Sequence, residues 1–180
     1  MLPRVLRSEN QLAYEHHRNG GPLWDAYLTQ IGDYAESVHR DFLSQICFDH
    51  FDNFDGWFPG FDINEITVLP KTVSAQDVYD NVRRGDRLET HWRWQVNEQL
   101  ERNFPSGNFV LQHCLDNDTW PSPPVIVDSA YGATLGGTDL GTPWHLVEGT
   151  HRVSYITRLL ELGRIVPIAS MRSYGLGANS

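Results

Sequence analysis

The chain has 180 residues, 40% of them apolar and 21% charged, and a formal net charge of −9; this balance fits one globular domain with a sizeable core. A field of that sign disfavours long duplex nucleic acid, whose phosphates need a basic face, and suits a basic partner. No stretch approaches the ~18 apolar residues of a membrane-spanning helix, so a cytoplasmic location is the expectation.

Met1 to Gln11 carries Arg4, Arg7 and Glu9 without an apolar segment, and no signal peptide is expected there. Residues 22 to 50 predict helix. Leu23, Trp24, Tyr27, Leu28 and Ile31 keep helical spacing, Gly32 and Asp33 interrupt it, and Tyr34, Val38, Phe42, Ile46 and Cys47 resume an apolar face. In Val38-His39-Arg40-Asp41 the last three residues copy a kinase tripeptide, but the later asparagine and an earlier glycine-rich loop are missing, so it reads as helix surface. Residues 49 to 62 read as an aromatic and acidic surface loop. A calcium loop with Gly56 at its sixth position would place Phe51 where a carboxylate is required and Asp62 where a bidentate glutamate belongs, which excludes an EF-hand. Asp49, Asp52 and Asp55 on such a loop would suit a basic protein partner, as an immunity or antitoxin-like protein meets a toxin.

Ile66 to Leu69 is a short apolar run before Pro70. Ser74 and Asp77 form a capping-box pattern that opens a helix through Val82, closed by Gly85. A second helix is expected from Leu88 to Leu100, with Trp92, Val96 and Leu100 four apart; Trp92 and Trp94 read as packing, with Arg93 as a cation–π neighbour. After Pro105-Ser106-Gly107 the pattern changes. Phe109 to Leu115 and Val125 to Val127 are expected strands. Gly132 to Thr142 is a glycine and threonine loop without the Gly-Lys-Ser/Thr ending of a P-loop, and suits a flap over the turn that follows. Then come a strand at Trp144 to Val147, a helix at Thr150 to Leu162, a strand at Ile165 to Ala169 and a loose tail. Helices first, then alternating strand and helix, predict an α+β fold. In it a helical region, 1–104, packs on the small mixed sheet of an α/β region, 105–170, with a flexible tail, 171–180, the whole forming one compact unit.

Cys47 and Cys114 share no motif and read as small buried residues. His16, His17, His50, His91 and His113 lack zinc-ligand spacing, so no metal site is expected. No serine lies in a G-x-S-x-G context.

The most chemical stretch is Trp144-His145-Leu146-Val147-Glu148-Gly149-Thr150-His151-Arg152-Val153. A strand that ends in a glycine turn and opens a helix directs backbone N–H groups and the positive helix end at one point. Arg152 offers a planar fork for phosphate oxygens, and Thr150 a hydroxyl. A cation in a first turn opposes the helix dipole and calls for a bound anion or a partner such as Glu148. Glu148 itself could orient His151, act as a base or hold a metal, or pair with Arg152.

The string Val-Glu-Gly-Thr-His-Arg-Val before a helix resembles the G-x-H-R signature of the ParB/sulfiredoxin-like fold. The resemblance covers about residues 105 to 170. It implies a nucleotide-phosphate site, with or without magnesium, at Gly149, His151 and Arg152, flanked by Glu148 and Thr150. Sulfiredoxins carry their catalytic cysteine where this chain has Thr150, so sulfinic-acid reduction is not expected. The basic DNA-binding region of the chromosome-partitioning members has no counterpart in this acidic chain.

Overall fold

The computed structural model describes residues 2–8, 22–63, 66–83, 86–102, 108–131, 134–135, 137–167 and 170–178. Two compact units emerge: Met1–Val68 with Ala133–Asp139 and Ala178–Ser180, and Leu69–Gly132 with Leu140–Gly177.

The first unit is helical and aromatic. Helix α1 (Pro22–Ile31) buries Trp24, Tyr27 and Ile31, as their spacing requires. The face expected to continue as one helix is broken: Val38 is extended, and the His39 ring accepts from the Asp41 amide to start a new turn at Arg40–Phe42. A π-helical segment, Leu43–Phe48, follows and places Leu43, Ile46, Cys47 and Phe48 inside together. Arg40 lies over the Trp24 ring at 5.4 Å, so its surface position is used.

The middle of the expected acidic loop, 49–62, is instead helix α2 (Phe51–Trp57). Phe51, Phe54, Phe58 and Phe61 are three to four residues apart and all buried. Their burial outweighs the polarity between them. Phe54 meets Phe61 edge-on at 4.9 Å, and Phe42 stacks on Phe61 at 5.8 Å. The N-terminal turn Arg4–Leu6 docks here: Leu6 is fully buried and its carbonyl accepts from the Tyr27 hydroxyl at 2.8 Å.

The second unit holds all but the ends, 66–68 and Ala178, of a five-stranded mixed sheet in the order β1 (Ile66–Ser74), β7 (Ser170–Ala178), β3 (Val125–Asp128), β6 (Trp144–Glu148), β2 (Val82–Arg83). β1 is an edge strand, which is why it passes through Pro70 without losing a ladder bond on both sides. β3 runs antiparallel to β6 and parallel to β7, and β2 runs parallel to β6. Val125, Ile126 and Val127 on central β3 are buried, giving a continuous apolar run and not an alternating one.

Helix α3 (Ala75–Asn81) opens with the expected capping box: Ser74 Oγ accepts from the Asp77 amide, and the Asp77 carboxylate accepts from the Ser74 amide. Helix α4 (Asp86–Glu101) follows as expected, with Val96 buried. Trp94, expected to pack, is 57% exposed, and Arg93 pairs with Glu161. Phe109–Leu115, expected as a strand, lies in helix α5 (Phe109–Asn117), which starts because Asn108 Oδ1 accepts from the Leu111 amide. Helix α6 (Thr150–Glu161) packs against α3, α4 and α5. Its Val153, Ile156 and Leu159 join Val78, Val96 and Leu111 in the core of this unit.

Two further expectations are corrected. Of the expected strand Ile165 to Ala169, Ile165–Pro167 is not strand and 168–169 lie outside the described residues; of the tail expected to be loose, 171–178 lies in β7 and 179–180 lie outside the described residues. Pairing with β3 orders it, with Tyr174, Gly175 and Leu176 opposite Val125, Ile126 and Val127. The expected flap contains a short antiparallel hairpin, β4 (Thr134–Leu135) and β5 (Thr138–Asp139), held by a hydrogen bond from Thr138 Oγ1 to the Trp57 carbonyl at 2.5 Å, and residues 140–142 follow it without strand structure.

Candidate functional site

β6 ends at Glu148 beside the start of β3, where Val125 is its register partner. Gly149 then turns the chain with φ 105° and ψ 28°, a left-handed conformation, and accepts the Val153 amide at 2.9 Å to open α6. A side chain is excluded twice over. An L-residue is strained at that φ, and a Cβ would stand 2.7 Å from Pro124 Cβ.

The glycine supplies no side-chain cap, and the first turn of α6 contains no acidic residue. The amides of Thr150, His151 and Arg152 precede the first intrahelical bond, so they form the positive end of the helix. His151 is exposed, its ring 6.1 Å from that of Tyr155, and Thr150 is half-buried. This is the strand–glycine–helix arrangement expected from the sequence.

Arg152 is placed otherwise than as an exposed fork. It is 5% exposed, where a solvated cation would be open to water. Its Nη1 donates to Ser122 Oγ at 2.7 Å, to the Ser122 carbonyl at 3.1 Å and to the Pro123 carbonyl at 3.2 Å. Its Nη2 pairs with Glu148 Oε2. The guanidinium therefore braces the 122–124 segment against the base of the helix. Glu148 is the partner that a cation in a first turn requires, and the same pairing occupies the carboxylate otherwise available as a base or ligand.

Around this brace the chemistry is closed. Cys114 is buried, and burial pushes its thiol up to about 12, with the charge of Arg152 acting in the opposite direction. The Tyr155 hydroxyl accepts from Asn108 Nδ2 at 2.6 Å and donates to Gln99 Oε1 at 3.0 Å, fixing α6 to α4 and α5. Ser122, Pro124, Asn108 and Gln99 were not singled out from the sequence. The local signal for the first two was Pro123-Pro124 immediately before a strand; the others lie too far along the chain to signal contact.

The three carboxylates of the presumed acidic loop are not offered together. Asp49 is 1% exposed, Asp52 pairs with Arg7 at 2.6 Å, and Asp55 accepts from the Leu2 amide at 3.0 Å. Among the described residues no group of three His, Cys, Asp or Glu stands where it could hold a metal ion, and no helix is long and apolar enough to cross a membrane. His16 and His17 lie outside the described residues.

No family model matches the chain, and no solved structure matches it. L-seryl-tRNA(Sec) selenium transferase of Campylobacter lari is 26% identical over 139 residues, which is 76% of this chain and 28% of that protein. The chain thus spans less than a third of the length of the curated relative it matches.

Proposed function

We propose that β6, Gly149 and the start of α6 form the phosphate-binding turn of a ParB/sulfiredoxin-like region. The ligand is a phosphate-containing molecule, a nucleotide with or without magnesium. The observation that carries this reading is a helix start with a left-handed glycine, no side-chain cap and no acidic residue in its first turn. Such a terminus favours an anion by dipole and by donors together. The phosphate sits on the amides of Thr150, His151 and Arg152, and the exposed His151 ring adds a donor. Arg152 acts here through its backbone and through the brace that fixes the turn, since its side chain faces Glu148, Ser122 and Pro123.

The test is thermal unfolding with nucleoside mono-, di- and triphosphates, with and without magnesium. A ligand at a hundredfold excess over its dissociation constant should stabilise the fold by about 2.7 kcal/mol. His151→Ala should weaken binding about tenfold, the loss expected for one hydrogen bond to a charged group, with unchanged stability of the free protein. Absence of any shift across the panel sinks the proposal.

A further inference from the structure

Away from the Gly149 turn, at the opposite end of β6, the geometry points to a pH-operated latch: neutral His145 holds the 140–142 segment through Gly141, and protonation of the ring releases it, while Pro143 stays held by the Ser129 amide and hydroxyl at 2.9 and 2.8 Å. His145 Nδ1 accepts the Gly141 amide at 3.0 Å. Only an unprotonated ring nitrogen can accept, so a doubly protonated imidazole would set N–H against N–H.

The contact is built closely. A Cβ on Gly141 would lie 2.8 Å from Arg83 Cβ and 3.5 Å from His145 Nδ1, so the backbone of the segment is pressed onto both side chains. Arg83 of β2 and Val127 of β3 are the register partners of His145. The neighbouring strands thus set an arginine and a valine opposite it. Gly141 itself brings only backbone. Arg83 Nη2 is turned to the Asp80 carbonyl at 2.6 Å, and Nη1 to the Val82 carbonyl at 3.3 Å. Burial of the His145 ring keeps it neutral, lowering its protonation below the ordinary imidazole range.

The sign follows from that lowering. Between the ordinary and the lowered value the unfolded chain binds more protons than the folded one. The contribution of His145 to stability is therefore complete above the ordinary imidazole range and is lost as pH falls through the folded value. The segment opens over the same interval.

Hydrogen exchange of the Gly141 amide, expressed as a protection factor from pH 8 to pH 5, reads the latch directly. Protection should fall at least tenfold with a midpoint below the ordinary imidazole value, while the Ile126 and Leu146 amides hold theirs. In His145→Asn the amide oxygen takes the place of Nδ1 and does not titrate, so protection should stay flat. Protection that tracks the core amides, or an Asn variant with the same acid midpoint, overturns the proposal. Should that variant not fold, the ring nitrogens of the unmodified protein decide. Nδ1 gaining its proton in step with the loss of Gly141 protection supports the latch, and Nδ1 already protonated at neutral pH overturns it.

Discussion

With Nη1 on Ser122 and Pro123 and Nη2 on Glu148, the Arg152 side chain is held from both flanks of the turn at 5% exposure. Removing it takes the ion-pair partner from a largely buried carboxylate and a donor from two carbonyls. Arg152→Ala should therefore lower the unfolding free energy by about 3 kcal/mol, the range for a broken buried pair. Urea denaturation measures this, and a loss under ~0.5 kcal/mol would show that the brace contributes nothing. The variant is thus a probe of folding first, and His151→Ala the cleaner probe of binding. The i,i+4 relation of Glu148 and Arg152 was visible in the sequence, because both lie on one short stretch. Burial was not, because it comes from Ser122 and Pro123, which no local pattern joins to the turn.

Among the elements, α3 shows what local chemistry alone can specify. Ser74 and Asp77 satisfy each other's amides, and Ala75 and Val78 point inward one step behind them. Ser74→Ala should destabilise the protein by about 1 kcal/mol, as loss of an N-cap does, read from thermal or urea melts. The hydrogen bond from the Ser74 hydroxyl, and then that from its amide, hold the Asp77 carboxyl below the usual carboxylate range. The stabilisation from that carboxylate is therefore present above its ordinary value and lost as pH falls through the lowered one. α2 and α5 depart from the sequence expectation for a common reason. In α2 the carboxylates alternate with phenylalanines at helical spacing, and in α5 a dense apolar run follows the capping Asn108. Each is a case where the period, and not the composition, carried the answer.

For the molecule as a whole, the α+β class was legible because helix and strand patterns separate along the chain. The sheet was less so. β1 and β7 enter it through pairings between distant segments, so a strand embedded in the helical region and a glycine-bearing tail both looked peripheral. The boundary between the compact units falls accordingly at Val68 and Leu69, where the edge strand joins the sheet-bearing unit. The strand–glycine–helix turn was legible in full, since every residue that makes it is consecutive.

Both cysteines are fully buried, and burial pushes both thiols upward, Cys114 to about 12. Folded protein should give no fast phase with a chromogenic disulfide at neutral pH, and two equivalents after denaturation; a fast equivalent in the native state would contradict this burial. Cys47 belongs to one compact unit and Cys114 to the other. The chain therefore carries two internal clocks. Pulse alkylation followed by peptide mass analysis would time the opening of each unit separately, without a label being introduced.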